Sequence, residues 1–430
     1  MIMILKIVKQ TWHEARRQPV ISIVSVVATA FTIFLVMTMS VIDCVKTAEF
    51  TPETNRSRML VATGVNIDDS TGRSASTFYS QSFLHELYDS IDGVESVAMF
   101  SGSPGTTDVS VPGKSPVNIN FIMVDNGFWK VFDFKFISGK PFDAAGGPWD
   151  SDQVPVVITE SVARKIFGGA DVEGRTILVG RMPRKIAGVV EDVSPLASFA
   201  YGQLFFPLQY ENKGAVTARD DIFGRLKGAV VARATSDFPA IKAEVARRYE
   251  AVNRRIAPFD MIINPHSQPY TVGEAATVGG TNGDPDDNRF WWVKYLVLLL
   301  VPAINLSSMT SSLLRRRRME MGVRRAFGAT KERIAAGILM ENLVVTVLGT
   351  AVGLVASWLL TWLGLDYLVS SNSFERILTP VSISPSVLFS WSTFAIASLF
   401  ALALNLLSSG LPSWYAARRN PSEALSGHEK

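Results

Sequence analysis

The stretch VISIVSVVATAFTIFLVMTMSVI, which runs from Val20 to Ile42, decides the class of fold. It contains 23 residues and no charged side chain. A helix rises about 1.5 Å per residue, so about 20 apolar residues cross the roughly 30 Å hydrocarbon core of a bilayer. The stretch therefore predicts a transmembrane helix over residues 20–42.

A cleaved signal peptide is the alternative interpretation of this N-terminal run. Its apolar length exceeds the roughly 7–15 residues of a signal-peptide core. The residues that follow, from Asp43 to Lys46, also lack the small-x-small pattern of a cleavage site. We therefore favour an uncleaved anchor.

Three further apolar runs predict transmembrane helices over 290–314, 334–365 and 386–411. They place a short extracytoplasmic loop at 366–385 and a much longer segment, 43–289, between the first and second helices. The predicted fold class is a membrane protein with four transmembrane α-helices and a large mixed α+β extracytoplasmic domain inserted between helices 1 and 2.

The distribution of basic residues predicts the orientation. The N-terminal tail, 1–19, carries four lysines and arginines, the loop 315–333 carries eight, and the C-terminal tail, 412–430, carries three. The loop 366–385 carries one. Because cytoplasmic loops are enriched in Lys and Arg, we expect both termini and the 315–333 loop in the cytoplasm.

The long outer segment has a mixed pattern of strands and helices. A turn is expected at Arg181–Arg184, a boundary between two subdomains near Asp192–Tyr201, and a flexible tether over Tyr270–Asn288. Strands are predicted over Phe121–Val124, Val154–Ile158, Thr176–Val179, Lys185–Val190 and Phe205–Phe206, and helices over Phe83–Ser90, Glu160–Phe167 and Phe238–Ala257.

The sequence offers no catalytic, cofactor or metal site. The single cysteine, Cys44, and four widely separated histidines give no metal-ligand spacing. The stretch DVSVPGKS, Asp108–Ser115, ends like a phosphate-binding loop, but Asp108 stands where glycine is needed and Pro112 lacks an N–H. We interpret it as a hairpin turn at Pro112–Gly113, and we expect the chain not to be an enzyme and to bind no nucleic acid.

The aromatic residues from Phe128 to Phe136 are interpreted as core rather than as a ligand site.

The loop RRRRMEMGVRRAFGATKERI, Arg315–Ile334, carries the most specific motif. It resembles the signature of the MacB/FtsX permease family. The outer segments ISGKPF, VPVVITESVARKIFG, VEGRTI and IAGVVEDV are similar to the periplasmic core pattern of that family, and LPSWYAARRNPSEAL resembles its closing motif.

The resemblance implies a permease subunit of an ABC-type transporter in the inner membrane. It implies a separate ABC ATPase subunit, a dimer with a second permease copy or homologue, and transmission of ATP-driven motion to the outer domain. Export or extraction of a peptide, lipopeptide, lipoprotein or drug is expected, with a membrane-fusion or other periplasmic protein as a further partner. The alternative is an FtsX-like scaffold that regulates an extracytoplasmic partner such as a cell-wall hydrolase.

The candidate site for coupling to the ATPase is a short cytoplasmic helix in the 315–333 loop. Gly328 suits the residue that follows a helix, and Thr330 can cap the next one. Positive-inside arginines that face lipid headgroups are the alternative, which explains Arg315–Arg318 well. It does not explain the glycine and alanine positions, whereas close approach of a partner surface does. The residues that we assign to ATPase coupling are Glu320, Met321, Gly322, Arg324, Arg325, Ala326, Phe327, Gly328 and Ala329.

Overall fold

The computed structural model divides the chain into two compact units. One consists of Met1–Cys44, Phe290–Leu368 and Ser384–Lys430, and the other of Val45–Arg289 and Val369–Ile383. The structure describes residues 19–144, 154–194, 197–208, 222–264, 267–278 and 346–360, together with positions 293, 296, 297, 300, 323, 327, 328, 330, 340, 343, 344, 395, 399 and 403.

Helix α1, Pro19–Thr47, is 29 residues long and covers the predicted first span. In the first unit, residues 346–360 are also helical and fall within the predicted third span. Among the residues that the structure describes, no helix combines the length and the hydropathy required to cross a membrane. The predicted spans 290–314 and 386–411 lie outside the described residues except for isolated helical positions.

The second unit is built on a single mixed sheet. Within the described ranges its fifteen strands follow the order β11-β8-β10-β9-β5-β6-β4-β13-β3-β2-β14, with β1, β7, β12 and β15 attached beside this path. The strands are β1 Met59–Ala62, β2 Val65–Asp68, β3 Ser74–Tyr79, β4 Val94–Ser101, β5 Gly105–Ser110, β6 Val117–Val124, β7 Phe136–Gly139, β8 Pro155–Thr159, β9 Thr176–Val179, β10 Met182–Val190, β11 Leu204–Pro207, β12 Phe223–Gly224, β13 Leu226–Ala232, β14 Ile262–Ile263 and β15 Tyr270–Thr271.

In the described part of this unit, five α-helices accompany the sheet and three hydrophobic clusters form the core. The helices are α2 Gln81–Tyr88, α3 Phe128–Val131, α4 Glu160–Phe167, α5 Phe238–Ile256 and α6 Val272–Val278. One cluster joins α2 and α5 to the strands around β13. A second packs α4 on β8 and β10, and a third surrounds the aromatic residues of α3.

Local sequence explains α4 and its neighbours. Strand β8 is almost wholly buried, as expected for a continuous apolar run that pairs in parallel with β10. In α4, Val162, Ala163 and Ile166 face the core. Gly168 ends the helix with a φ of 85°, a left-handed conformation that glycine adopts without a side-chain clash.

The structure confirms most predicted outer elements and corrects three expectations. The expected turn at Arg181–Arg184 is shorter, because Gly180 and Arg181 have positive φ and β10 begins at Met182. The sheet does not divide at Asp192–Tyr201, since β11 returns to pair with both β6 and β8. The expected flexible tether begins instead with β15 and α6, whereas its later part, from residue 279 onward, lies outside the described residues.

Candidate coupling site

The described part of the coupling loop ends a helix and exposes an aromatic ring. Val323 is helical, Phe327 and Gly328 form a turn, and the Phe327 N–H donates to the Val323 carbonyl at 3.1 Å. Gly328 has a φ of 91°. Left-handed backbone at this point suits glycine and stops the helix, as the sequence predicts.

Phe327 is 89% exposed and Val323 is 47% exposed. Phe327 thus follows Val323 by one helical turn, and both side chains expose apolar surface. The remaining coupling residues lie outside the described part of the chain, and the structure therefore does not place them beside Phe327. They are Glu320, Met321, Gly322, Arg324, Arg325, Ala326 and Ala329.

A seam of small residues joins helix α1 to residues 346–360, which follow the coupling loop in sequence. An added Cβ at Gly349 would lie 2.7 Å from Cβ of Thr29, and one at Gly353 would lie 2.5 Å from the carbonyl oxygen of Ala30. Real Cβ atoms do not approach other atoms so closely, so only glycine permits this backbone separation. Close approach through small residues spaced four apart is typical of helices that pack in a membrane.

Threonine hydroxyl groups of α1 along this seam form hydrogen bonds within the two helices. The Thr32 hydroxyl donates to the Ala28 carbonyl at 2.9 Å, and the Thr38 hydroxyl donates to the Phe34 carbonyl at 2.7 Å. The Thr38 and Ser357 hydroxyl oxygens are 3.4 Å apart. These contacts satisfy polar atoms between otherwise apolar helices.

A buried ion pair lies shortly after α1 ends. The Arg56 Nε atom donates to Glu53 Oε2 at 2.6 Å, and the two side chains are 1% and 0% exposed. Oε1 of Glu53 accepts the N–H groups of Phe199 and Ala200, each at 2.9 Å. Burial raises the pKa of Glu53, while Arg56 and the two N–H donors act in the opposite direction. We refer to Glu53 and Arg56 as the clamp.

The chain enters and leaves the outer domain beside the same strand. Strand β1 begins at Met59, directly after the clamp segment, and pairs antiparallel with β13 and β15. The last described element of the domain, α6, follows β15 and is held by Glu274, which accepts Lys242 Nζ at 3.0 Å and the Thr271 N–H at 2.7 Å.

The other singled-out motifs have structural roles. The turn at Pro112–Gly113 links β5 to β6, and Lys114 Nζ donates to the Ile166 carbonyl at the end of α4, 2.7 Å away. Phe128 and Phe132 are fully buried with rings 4.6 Å apart, so the aromatic cluster is core as expected. The described residues contain no group of three or more acidic, histidine or cysteine side chains arranged for a metal ion.

Two family models match the chain. The MacB-like periplasmic core domain matches residues 22–248, more than half of the chain. The FtsX-like permease C-terminal domain matches residues 292–421, which include the coupling loop. The chain belongs to the MacB/FtsX family of ABC transporter permeases. The family consists of membrane permeases with an extracellular mixed α/β domain, which confirms the predicted class of fold except for the number of transmembrane helices, which stays a prediction.

Relatives of this MacB/FtsX permease have low sequence identity. The uncharacterised ABC transporter permease YknZ of Bacillus subtilis is 22% identical over 310 residues, which cover 70% of this chain and 68% of YknZ. The macrolide export ATP-binding/permease protein MacB of Chromobacterium violaceum is 25% identical over 310 residues, which cover 72% of this chain but only 43% of that protein. This chain therefore spans less than half of the MacB relative, whose name includes an ATP-binding function.

Among solved structures, the extracellular domain of the YknZ transporter from Gram-positive bacteria is 15% identical. The alignment covers 47% of this permease and 99% of that domain, with a TM-score of 0.33.

Sequence reasoning singled out the candidate coupling loop of this MacB/FtsX permease, which stays a prediction, and missed the seam and the clamp. The four-residue spacing of Gly349 and Gly353 was a readable signal for close helix packing. The clamp had no comparable signal, because Glu53 contacts residues 146 and 147 positions away.

Proposed function

We propose that this chain is a permease subunit that transmits ATP-driven motion from a separate cytoplasmic ATPase to its extracytoplasmic domain. The motion serves the export or extraction of a peptide, lipopeptide, lipoprotein or drug. The coupling site is the 320–329 segment, and ATP hydrolysis belongs to the partner subunit.

The observation that carries this proposal is the exposure of Phe327. A phenylalanine ring that is 89% exposed, with the 47% exposed Val323 four residues before it, offers apolar surface of the kind that enters the core of a protein–protein interface. Phe327 lies in the turn that ends at Gly328, and Arg324 and Arg325 lie close to it in sequence. An apolar pocket rimmed by carboxylates is the complementary surface.

The proposal includes a four-span topology. Helix α1 occupies the first span, residues 346–360 belong to the third, and 290–314 and 386–411 form the second and fourth. Both termini and the 315–333 loop face the cytoplasm, where Lys and Arg concentrate. The outer domain, 43–289, then lies on the opposite side of the inner membrane.

The assembly that we propose is a dimer of permeases with an ABC ATPase. A membrane-fusion or other periplasmic protein completes it on the outer side. The macrolide-export function in the name of the MacB relative supports an exported cargo, with the outer domain as the part that handles it.

Reconstitution tests the proposal. The permease and its partner ATPase are purified separately, then combined in proteoliposomes, and ATP hydrolysis and cargo movement are measured. We expect no hydrolysis by the permease alone and stimulated hydrolysis in the complex. Turnover by the isolated permease would contradict the proposal. Stimulated hydrolysis without movement of any cargo, together with ATP-dependent activation of a cell-wall hydrolase, would instead establish the scaffold function.

A further inference from the structure

Six strands of the outer domain form a closed barrel. Strand β6 pairs with β5, β5 with β9, β9 with β10, β10 with β8 and β8 with β11, and β11 returns to pair with β6. Apolar side chains from all six strands and from α4 form one buried cluster, so the barrel is filled and α4 packs against its core. A small cleft, about 30 Å³ in volume, is lined by residues of α4, by the start of β6 and by Gln203.

The cleft combines apolar walls with a few polar groups. Its walls include Val117 and Ile119 of β6 and Ile166 of α4. Its polar groups are those of Ser161, Lys165 and Gln203. Since one water molecule takes about 30 Å³ in the liquid, the cleft accepts a methyl-sized group rather than a large side chain.

Gln203 supplies a buried hydrogen-bond donor with a fixed orientation. The residue is only 4% exposed and directly precedes β11. Its Oε1 accepts the Asn120 N–H at 3.0 Å. Because an amide nitrogen cannot accept an N–H, this bond determines which end of the side-chain amide is oxygen and leaves Nε2 as the other end. Within the described residues Nε2 donates to no protein group, and buried donors require an acceptor.

Lys165 adds a positive charge at the same cleft. Its side chain is exposed and, in the described part of the chain, is not paired with a carboxylate, whereas the neighbouring Arg164 donates to Glu160 at 2.8 Å. The Asp192 carboxylate accepts the Ser161 N–H at 3.0 Å and is not among the residues that line the cleft. The cleft therefore presents two nitrogen donors, one of them charged, beside an apolar wall.

We propose that this cleft binds a small aliphatic carboxylate. The carboxylate accepts from Gln203 Nε2 and Lys165 Nζ, because charge-assisted hydrogen bonds favour an ionised acceptor. A methyl-sized group on the adjoining carbon packs against Val117, Ile119 and Ile166. Short carboxylic acids and the C-terminal alanine of a peptide both carry this chemistry. The inference goes beyond the proposed function, and binding at this cleft requires neither ATP nor a partner ATPase.

Saturation-transfer difference NMR on the full-length chain in lipid nanodiscs, near pH 7.5, tests the inference. The probes are propionate, N-acetyl-alanine, the uncharged N-acetyl-alaninamide and the larger N-acetyl-phenylalanine. We expect saturable binding of at least one of the first two and much weaker binding of the last two. A preference for N-acetyl-alanine would assign the cleft to peptide C-termini, and propionate binding at least as tightly would assign it to short acids. Equal binding of N-acetyl-alaninamide or of N-acetyl-phenylalanine, or no saturable binding of either small carboxylate, would overturn the inference.

Two surface variants locate the binding. Lys165→Gln should weaken it by roughly fivefold or more, because a charge-assisted bond is lost. Arg164→Gln is the matched control, since this neighbouring cation is also exposed but does not line the cleft. We expect the control to bind like the unmodified chain. An unchanged affinity in Lys165→Gln, or an equal loss in both variants, would show that the carboxylate does not bind here.

Gln203→Glu tests the buried donor. The substituted side chain keeps an oxygen for the Asn120 N–H but replaces Nε2 by a second oxygen, which repels a carboxylate. We expect this variant to keep a native circular dichroism spectrum and to lose saturable binding. A natively folded Gln203→Glu variant with full affinity would refute the proposed contact, and if the variant does not fold, Lys165→Gln decides the inference.

Discussion

A Cβ atom built on Gly353 would lie 2.5 Å from the carbonyl oxygen of Ala30. The helical segment 346–360 and α1 therefore touch backbone to backbone at this point. The contact joins the helix that follows the coupling loop to the helix that continues to the outer domain.

The first prediction concerns this contact. Gly353→Leu should destabilise the protein by about 1–3 kcal/mol, because the added side chain must push the two helices apart. Ala351→Leu is the matched control, since position 351 is exposed and accepts the same side chain without a clash. Thermal unfolding of both variants in detergent, followed by size-exclusion chromatography, measures the difference. Equal melting temperatures would show that the helices do not meet at Gly353.

The second prediction compares two buried tyrosines of the outer domain. The Tyr79 hydroxyl lies 2.8 Å from the Gly64 carbonyl and 3.1 Å from the Tyr249 hydroxyl. Within the described residues, the buried Tyr88 hydroxyl has no hydrogen-bond partner. Tyr79→Phe should therefore lower the free energy of unfolding by about 1–3 kcal/mol, whereas Tyr88→Phe should be neutral or stabilising. Chemical denaturation measures both, and a larger loss for Tyr88→Phe would contradict the expectation.

The third prediction concerns pH. Burial raises the pKa of Asp125 to about 6, against the opposing effects of the Phe128 N–H and of His85. The pKa of this carboxyl in the unfolded chain is 3.8, so the folded domain binds the extra proton between that pH and about 6 and loses stability as the pH rises through this range. Asp125→Asn should remove this loss, because an amide carries no titrating proton. The variant should otherwise keep the local structure, since the amide oxygen can still accept the Phe128 N–H.

Unfolding of the Asp125→Asn variant should be compared with that of the unmodified protein near pH 4 and near pH 7.5. The free energy of unfolding of the variant, relative to that of the unmodified protein, should be higher at pH 7.5 than at pH 4 by on the order of 1–2 kcal/mol. Exposed Asp133→Asn serves as the control and should show no such difference. A pH-independent effect of Asp125→Asn would refute a protonated Asp125 in the fold.

The fourth prediction concerns topology. Tags at the N-terminus, after Lys331 and at the C-terminus should be inaccessible from outside intact cells, and a tag near Gly283 should be accessible. Labelling by a membrane-impermeant reagent, before and after permeabilisation, distinguishes the two sides. An accessible N-terminal tag would overturn the four-span topology.

The sequence was sufficient to predict those elements whose bounds depend on neighbouring residues. Helix α4 has the predicted bounds because its apolar spacing, its first-turn Glu160 and the following Gly168 all act within a few residues. The turn before β10 was predicted too long, because Pro183, which lies within the expected turn, pairs in the strand opposite Leu178.

The parts that sequence missed depend on distant contacts. The clamp needs the turn at Phe199–Ala200 to return to Glu53, and no local pattern predicts that return. The small-residue spacing at Gly349 and Gly353 predicts close packing, but it does not say which helix provides the other face. The candidate coupling segment was predicted from its motif, and the exposure of Phe327 became visible only in three dimensions.

The most direct test of the account is the affinity of the partner ATPase for permease variants at matched membrane abundance. Phe327→Ala should weaken binding by about 2 kcal/mol or more, roughly 30-fold, because it removes an apolar anchor. Gly322→Leu should also uncouple hydrolysis by blocking close approach. Arg316→Gln should cost well under about 1 kcal/mol, as expected for a solvated charge. An Arg316→Gln variant as damaging as Phe327→Ala would show that the loop acts through charge alone, and full binding by all three variants would place the docking site elsewhere.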